Sequence, residues 1–368
     1  MTNYLLVDGN NLACRAAFAN AGLKIDLIDF ERDFNPDDAF DDDKTFPTGA
    51  IHGFLRSLAS LRTRFPDSYL AVIWDSGYKR RLEISTEAMN RGVIPEPYKS
   101  NRRRGEIPQP ILDLGRQKPH LMRMLSFTNI PQVIVKDEEA DDVMASYAAK
   151  YGFSDRVLLY TTDKDFYQLL GENVFILNDS GVLDAAWFAG KYGIAPARWV
   201  DVGAFMGDRG DNIFGILGWG EVTAVKYVHE HGAFEAVLKA LHAKHDHLRC
   251  KFPDLNGDGF EKLRALEHGS GEKSRQKYPG VQEWMPFTGV AMAVEEKRTK
   301  LSKTELAALM YEERIRLAHK LKMMKPDLSL PDLPKWDRAD VAGFRSACGS
   351  FRLKEVDAEA EKICAVQP

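Results

Sequence analysis

The sequence predicts an α/β fold built on a parallel central sheet. Short apolar runs, in which hydrophobic and polar residues do not alternate, are typical of buried parallel strands. Helix-length segments separate these runs, and apolar residues recur at helical spacing from Ile51 and from His120. Helices are therefore expected on the faces of the sheet. The apolar runs lie at residues 4–7, 70–74, 132–135, 156–160 and 174–177.

Chain length and composition limit the class of protein. The 368 residues, of which 44% are hydrophobic, are enough for a sizeable core. The sequence has no run of 18 apolar residues and no secretion signal. We therefore predict a cytoplasmic protein without a membrane segment, in a host cytoplasm if a phage encodes it. The four cysteines form no C-x-x-C pair, which argues against a disulfide framework and against a zinc site.

The charge distribution is uneven along the chain. Because the net charge is −4, any contact with nucleic acid depends on a local basic patch, and residues 79–104 supply eight cations against three acids. The acidic residues 26–43 are interpreted as a solvated insertion without a function. Residues 242–300 are polar and irregular, which indicates an insertion. A helical pattern at 306–324 precedes the proline-punctuated residues 326–334, which are expected to run extended across a surface.

Acidic residues follow four of the predicted strands. Because the carboxyl ends of parallel strands share one edge of a sheet, these side chains are expected to converge there. Carboxylates in such numbers repel one another unless a cation neutralises them, and hard oxygen ligands favour Mg²⁺ or Mn²⁺. In chain order the residues are Asp8, Asp75, Glu139, Asp141, Asp142, Asp163 and Asp165.

Two of these acidic motifs also have an ordinary structural interpretation. The E-A-D-D motif at 139–142 opens a predicted helix, where the helix dipole favours acids without any function. The T-D-K-D motif at 162–165 could be a strand-to-helix turn with Thr162 or Asp163 as the N-cap. Acids after all four strands nevertheless favour a metal site, because strand ends could equally carry Asn, Ser or Gly.

A second signal lies between residues 207 and 220. Asp208 and Asp211 are three residues apart, so in a helical turn both would project to one side and could complete a metal site. The glycines that follow precede a predicted helix, and such a turn lets backbone N–H groups approach a phosphate closely. A tight turn without function is the alternative. The glycines are Gly215, Gly218 and Gly220.

Motifs along residues 1–230 resemble those of the 5′ nucleases, a family that includes bacteriophage 5′-to-3′ exonucleases, flap endonucleases and the nuclease domain of bacterial DNA polymerase I. The motifs occur in the family's order. They are V-D-G-N-N from Val7, P-T-G-A-I-H-G-F from Pro47, W-D from Trp74, Y-K-S-N-R from Tyr98, E-A-D-D from Glu139, T-D-K-D from Thr162 and G-D-R-G-D-N from Gly207. The resemblance implies a PIN-like parallel sheet flanked by helices, a helical arch and a helix-three-turn-helix element that binds duplex DNA.

The resemblance also implies a domain organisation. Residues 1–193 would form the nuclease core, with the arch at 76–105. Residues 194–241 would form the helix-three-turn-helix element. Residues 242–300 have no counterpart in the family's motifs, so 242–305 is interpreted as an insertion or irregular lobe. Residues 306–368 are interpreted as a C-terminal helix and an extended tail that packs back on the core.

The metal ligands implied by the resemblance form two sets. Asp8, Asp75, Glu139, Asp141 and Asp142 would hold a first Mg²⁺ directly or through water, and Asp163, Asp165, Asp208 and Asp211 would hold a second. Mn²⁺ is a substitute for either ion. Two cations about 3.5 to 4 Å apart can orient the attacking water and neutralise the charge that develops during phosphodiester hydrolysis. No nucleophilic side chain is then required.

The implied substrate contacts are basic residues and a turn. Lys99 and Arg102, with Arg81 as a third cation, would lie near the scissile phosphate and stabilise its oxygens. Arg103 and Arg104 add charge to the arch, through which a single-stranded 5′ end would pass. The alternative for this segment is a solvated helix face, and Tyr98 either stacks on a base or is a packing residue. The turn at Gly215, Gly218 and Gly220 would contact duplex phosphates and hold a potassium ion.

The predicted function is a structure-dependent 5′-to-3′ exonuclease or flap endonuclease that acts on DNA with 5′ ends or flaps. The sequence leaves open which of the two activities dominates and whether an RNA–DNA hybrid is accepted. We expect a monomer that acts alone or beside a separate replicative polymerase. The alternatives are a PIN-type endoribonuclease, a catalytically inactive DNA-structure-binding protein and a Mg²⁺-dependent phosphatase. The glycine turn argues against the endoribonuclease, and the complete set of nine acids argues against the inactive protein. The basic segment argues against the phosphatase.

Overall fold

The computed structural model describes residues 2–26, 45–103, 107–216, 219–249, 312–334 and 338–365. The acidic segment after residue 26 and most of the polar segment from 242 to 300 lie outside the described residues, as do Arg104 and Gly218. The chain divides into two compact units. The first, here the sheet unit, comprises Met1–Arg80, Gly105–Trp187 and Met324–Pro368. The second, here the hairpin unit, comprises Arg81–Arg104 and Phe188–Met323.

The strands confirm the predicted α/β class. A six-stranded sheet in the sheet unit has the order β5-β4-β1-β6-β7-β8, and every neighbouring pair is parallel except β7 and β8. The five predicted apolar runs coincide with β1, β4, β5, β6 and β7. The strands are β1 Asn3–Asp8, β2 Lys24–Asp26, β3 Thr45–Pro47, β4 Ser68–Trp74, β5 Gln132–Ile134, β6 Arg156–Tyr160, β7 Val174–Asn178, β8 Gly181–Leu183, β9 Gly207–Asp208 and β10 Ile213–Phe214.

The helices form where the apolar spacing predicts them. The pattern from Ile51 becomes α2, whose buried face carries Phe54 and Leu58, and the pattern from His120 becomes the second half of α4. The described helices are α1 Gly9–Ala19, α2 Gly49–Arg64, α3 Lys79–Asn90, α4 Gln109–Ser126, α5 Ala140–Tyr151, α6 Ala185–Tyr192, α7 Trp199–Met206, α8 Glu221–His231, α9 Phe234–Arg249, α10 Glu312–Lys322, α11 Val341–Ser350, α12 Lys354–Ala358 and α13 Ala360–Ile363. Among these helices, none is both long and apolar enough to cross a membrane.

The core of the sheet unit lies between the sheet and helices α1, α2 and α4. Phe54 on α2 stacks on Trp74 at the end of β4, with ring centroids 5.5 Å apart. Both side chains are fully buried. Burial of such large rings is a major source of stability, and here it fixes the carboxyl end of β4 against α2.

Residues 324–334, here called the strap, contain no helix or strand and run along α5 within the sheet unit. The backbone N–H of Lys325 donates to Asp142 Oδ1 at 2.7 Å, and that of Leu328 donates to Ser146 Oγ at 3.1 Å. Further along, the N–H of Leu333 donates to Tyr151 Oη at 2.9 Å. Residues 326–334 therefore lie outside any helix or strand, whereas the tail beyond them, which the sequence predicts to be extended, contains α11, α12 and α13.

The hairpin unit contains α7, the short β9–β10 hairpin, α8, α9 and α10. A buried Asp201 on α7 ties three of these elements together, because it accepts from the N–H of Phe234 at 3.2 Å and lies 2.8 Å from His319 Nε2. The chain between Asp208 and Asp211 is the turn of the hairpin and is not helical. From the sequence, Asp208 and Asp211 are expected to project to one side if this turn is helical. Because the turn is not helical, that expectation does not apply.

Candidate metal centre

Three neighbouring strands bring the first acidic residues together. β1 lies between β4 and β6, with Asp8 in register with Ile73 and Val7 in register with Tyr160. Asp75 comes directly after the end of β4, and Asp163 follows the end of β6 by three residues. The parallel order of the sheet thus places all three carboxylates at one edge, as the strand pattern predicts.

Asp8 is buried, and its burial destabilises the charged form of the carboxyl group. Its Oδ1 accepts from the N–H of Asn11 at 2.9 Å, which caps α1, and its Oδ2 accepts from Thr161 Oγ1 at 3.1 Å. Burial raises the pKa of Asp8 to about 7, and the nearby carboxylates of Asp75 and Asp163 push it in the same direction. The two hydrogen bonds oppose this shift without cancelling it. The site therefore has negative charge that its hydrogen bonds compensate only in part.

Asp75 connects β4 to the start of α5. Its Oδ1 accepts from the N–H of Ala140 at 2.6 Å, and its Oδ2 accepts from Asn10 Nδ2. Both carboxylate oxygens therefore have an N–H partner, and each keeps lone-pair capacity for a further ligand. A free N–H in the first turn of a helix is a normal partner for an anion, so α5 helps to hold Asp75 in place.

The T-D-K-D motif forms the predicted turn. Asp163 caps a short 3-10 helix, Lys164–Leu169, by accepting from the N–H of Asp165 at 2.8 Å. Asn11 Oδ1 accepts from both the N–H and the hydroxyl of Thr162, at 3.3 and 3.1 Å. Capping does not exclude a role of Asp163 as a metal ligand, so the structural and functional interpretations of this motif are compatible.

The E-A-D-D acids at the start of α5 differ in their surroundings. Glu139 is buried at the N-cap position without a side-chain capping bond, and Asp141 is half-buried. Asp142 is 1% exposed, accepts from the N–H of Lys325 in the strap and lies 3.5 Å from Arg80. These partners are thus Lys325 in the strap and Arg80 at the start of α3. Asp142 therefore stabilises the structure whether or not it also contacts an ion.

The donor set of the sheet unit fits a hard divalent cation. Its predicted ligands are all carboxylates, and the raised pKa of Asp8 shows that their charge is only partly compensated. Among the described residues, no three His, Cys, Asp or Glu side chains already stand in an arrangement that would hold an ion.

The hairpin unit holds the other two predicted acids beside protein cations. Asp208 Oδ2 lies 2.8 Å from Lys322 Nζ, and Lys322 is buried. Burial opposes the charge on Asp208, but Lys322 and the N–H groups of Asp211 and Gly210 outweigh it and lower the pKa of this carboxyl. Asp208 is thus already neutralised within this unit.

Asp211 meets the basic residues that the resemblance places near the phosphate. Arg102 Nη2 pairs with Asp211 Oδ1, and Lys99 Nζ lies 3.9 Å from Asp211 Oδ2. The backbone N–H of Lys99 also donates to the Asp211 carbonyl at 3.0 Å. Lys99 has a φ of 57°, a conformation that a side chain such as lysine rarely adopts. The hairpin turn therefore fixes both the backbone and the side chain of Lys99.

Two further predicted contact residues are buried in the hairpin unit. Tyr98 is 4% exposed, and its hydroxyl donates to Asp211 Oδ2 at 2.9 Å. Its position is that of a packing residue, one of the two roles that the sequence left open. Arg81 is also buried, and its Nε donates to the carbonyl of Leu321 at the end of α10. Because Arg81 is 4% exposed, a role at a phosphate would require its guanidinium group to become more accessible.

The glycines of the hairpin region serve different needs. Gly207 has a φ of 68°, and a Cβ on it would lie 2.3 Å from the N atom of Gly215. A Cβ on Gly215 would lie 2.2 Å from the N atom of Gly207, so the two strands can approach only because both residues lack side chains. Gly220 is the N-cap of α8, and a Cβ there would meet nothing within 4 Å. Of the two described turn glycines, only Gly215 is thus required by packing.

A comparison with known proteins identifies the family. The sequence profile described as 5′-3′ exonuclease, N-terminal resolvase-like domain, matches residues 3–193. The chain belongs to this 5′-3′ exonuclease family. The match covers the sheet unit's predicted ligands up to Asp165, together with Lys99 and Arg102, whereas Asp208 and Asp211 lie beyond it.

Relatives of this family member include both separate nucleases and polymerases. A 5′-3′ exonuclease of Buchnera aphidicola subsp. Baizongia pistaciae is 32% identical over 242 residues, which are 65% of this chain and 70% of the relative. A thermostable DNA polymerase I of Thermus thermophilus is 34% identical over 243 residues, 64% of this chain. The match spans 25% of that polymerase. The solved bacteriophage T5 D15 flap endonuclease covers 98% of this chain and 97% of its own at 17% identity, and its TM-score of 0.49 is too low to carry a conclusion.

Several residues that contact the predicted ligands and motifs are not predicted from the sequence. Asn10 and Asn11 belong to the V-D-G-N-N motif, from which no contact is predicted for them, although they hold Asp75 and Thr162. Lys118 and Lys322 lie on helices distant in the sequence from the residues that they contact. The motif positions of the asparagines were a usable signal, whereas nothing local marks either lysine.

Gly9 provides a first prediction for this member of the family. A Cβ at Gly9 would lie 2.6 Å from the ring of Trp74 and 2.8 Å from the carbonyl oxygen of Ile73. We expect Gly9→Ala to push α1 from β4, to destabilise the protein by about 1–3 kcal/mol and to separate Asp8 from Asp75. Thermal unfolding measures the first effect, and divalent-ion affinity measures the second. The matched control is Gly115→Ala on α4, where a Cβ would meet nothing within 4 Å. Unchanged thermal stability and ion affinity in Gly9→Ala would show that the close packing of Gly9 against Trp74 does not control the separation of Asp8 and Asp75.

Proposed function

We propose that the chain is a Mg²⁺-dependent nuclease that hydrolyses DNA phosphodiester bonds at 5′ ends and flaps. The observation that carries the proposal is the convergence of Asp8, Asp75 and Asp163 at the carboxyl ends of three adjacent strands. Membership of the 5′-3′ exonuclease family supports the same reaction class. Because the chain spans only a quarter of the length of its polymerase relatives, their other activities are not carried over.

The residues of the sheet unit would hold the cation. Asp8 and Asp75 have their carboxylates fixed by N–H and O–H donors, with Glu139 and Asp141 at the neighbouring start of α5. Asp163 and Asp165 provide further oxygens after β6. When bound, divalent cations supply charge neutralisation and orientation for the attacking water and the leaving oxygen. The assignment of Asp208 and Asp211 to a second ion rests on the resemblance and stays a prediction.

Lys99 and Arg102 are proposed to stabilise the phosphoryl oxygens. A cation assists this reaction best when it is already held in place before charge develops. The contacts with Asp211 provide that preorganisation, because the carboxylate restrains both cationic side chains. Asp211 is therefore proposed to act on the substrate through these cations.

The substrate-binding elements are proposed from the same resemblance. Residues 76–105, with α3 and the 3-10 helix Ser100–Arg103, would form the arch, although α3 ends at Asn90 and Gly92 adopts a φ of 75°. α8 and the turn before it would belong to the helix-three-turn-helix element, with a potassium ion at the turn. We propose a monomer that acts on DNA beside a separate polymerase.

The proposal is tested on a 5′-labelled flap duplex with Mg²⁺ or with EDTA. β4 offers a matched pair of variants, because Asp75 directly follows its last residue and the exposed Asp67 directly precedes its first. We expect metal-dependent cutting near the junction, lost in Asp75→Asn and retained in Asp67→Asn. Loss of one charged oxygen at a metal site removes several kcal/mol of transition-state stabilisation, or roughly a thousandfold in rate.

Other outcomes of this experiment identify the alternatives. Tight binding to the flap without cutting in Mg²⁺ or Mn²⁺ would support a catalytically inactive DNA-structure-binding protein. Cutting of single-stranded RNA in preference to the flap would support an endoribonuclease. The ratio of mononucleotide to flap-length product separates exonuclease from flap endonuclease action.

A further inference from the structure

Lys118 on α4 lies beside the acidic residues of the sheet unit, although no part of the reaction described above uses it. The side chain is half-buried, and its Nζ donates to Asn10 Oδ1 at 2.8 Å. The same Nζ lies 4.9 Å from the centroid of the Trp74 ring, within the range of a cation–π contact. Two independent contacts therefore fix the position of this ammonium group.

Asn10 transmits that position to Asp75. The amide of an asparagine has an acceptor end and a donor end, whereas an ammonium group can only donate. With Lys118 at Oδ1, the donor end of Asn10 has to point away from α4, and its Nδ2 donates to Asp75 Oδ2. The other oxygen of Asp75 accepts from the N–H of Ala140. Lys118 thereby determines which end of the Asn10 amide faces the carboxylate.

The charges around Lys118 are consistent with this role. Burial lowers the pKa of Lys118, and the carboxylate of Asp75 opposes that shift. A reversed Asn10 amide would point its carbonyl oxygen at Asp75 and its NH₂ group at the ammonium, so both contacts would become repulsive. The arrangement thus has one favoured orientation of the amide.

We propose that Lys118 is a positioning residue of the metal site, which acts through Asn10 to hold Asp75 in its ligand orientation. The inference rests on the proposed function, because it presupposes that Asp75 binds a divalent cation. Groups that orient a metal ligand from outside the coordination sphere typically contribute 10–100-fold to metal affinity. The contribution is measurable in the absence of DNA and of catalysis.

The test is calorimetric titration of the full chain with Mn²⁺. We expect Lys118→Met to weaken Mn²⁺ binding by about tenfold, since methionine keeps the length of the side chain but has no donor. Lys118→Arg retains a donor group and is expected to restore most of the affinity. The control is Arg123→Met, which removes an exposed positive charge from the same helix and should leave Mn²⁺ affinity unchanged. The unfolding midpoint of each variant shows that it is folded.

A double-mutant cycle separates this role from direct contact with a phosphate. If Lys118 acts through Asn10, then Lys118→Met has no further effect on Mn²⁺ affinity once Asn10→Ala is in place. Independent, additive effects of the two substitutions would overturn the inference, as would an unchanged affinity in Lys118→Met. Failure of the proposed function gives a different result, namely a wild-type chain that neither binds Mn²⁺ nor cuts the flap.

Discussion

Asp8→Asn is expected to stabilise the metal-free protein and to abolish the proposed nuclease activity. The folded state holds a carboxylate whose burial raises its pKa to about 7 from an ordinary value of 3.8. Asparagine keeps an acceptor for the N–H of Asn11, and the hydroxyl of Thr161 can rotate to suit the amide. The variant thus avoids the cost of a buried charge, roughly 2–4 kcal/mol, but loses a charged metal ligand and roughly a thousandfold or more in rate.

The pH dependence of this effect has a definite sign. Because the folded-state pKa of Asp8 lies above the unfolded value, stability is lost as the pH rises from about 4 to about 7. The gain in unfolding temperature of Asp8→Asn in EDTA should therefore be large at pH 8 and smaller at pH 5. Added Mg²⁺ should raise the unfolding temperature of the wild type more than that of the variant. Equal unfolding temperatures in EDTA at pH 8 would contradict the cost assigned to Asp8.

Lys99→Ala is expected to lower kcat on the flap substrate by about 10²–10³-fold while KM changes little. The reason is that a preorganised cation stabilises charge that develops only in the transition state. Single-turnover cleavage at saturating enzyme measures the chemical step directly. The matched control is Arg91→Ala, because Arg91 lies in the same basic segment but is exposed and pairs with Glu313 at 2.9 Å.

A structural role for Lys99 predicts a different result. The N–H of Lys99 and the hydroxyl of Tyr98 both hold the hairpin turn through Asp211. Tyr98→Phe removes one of these contacts and leaves the cation in place. If Tyr98→Phe slowed cleavage as much as Lys99→Ala, the effect would come from the shape of the turn and direct stabilisation by Lys99 would be rejected.

The sheet and its acidic edge could be predicted because the signals are local. Strands buried on both faces are continuous apolar runs, and the acids follow them directly, so the parallel order alone brings Asp8 and Asp75 together. The turn at Asp208 could not be assigned in the same way. A spacing of three residues fits a helix, but it also fits a turn in which Asp208 accepts from the N–H groups of Gly210 and Asp211.

The sequence could not indicate which side chains contact one another in the folded protein. Lys322 contacts Asp208 across 114 positions, and Lys118 contacts Asn10 across 108. Each lysine lies on a helix whose apolar spacing predicts the helix but not which acid or amide its polar face will meet. Tyr98 shows the same limit, since only the folded structure shows that its hydroxyl is bound to Asp211.

The strap and α5 contribute different kinds of groups to their contact. It uses mainly its peptide groups, namely the N–H groups of Lys325, Leu328 and Leu333, while α5 contributes the side chains of Asp142, Ser146 and Tyr151. Any residue except proline can donate a peptide N–H, and the prolines of the strap stand at 326, 331 and 334, between or beyond these donors. Saturation mutagenesis should therefore find Lys325 and Leu328 more tolerant of substitution than Asp142 and Ser146, with proline as the exception, whereas the buried Leu333 also has to keep an apolar side chain. The strap can therefore change much of its exposed sequence, though not the buried Met324 and Leu333, and still hold the helix that begins at the acidic edge.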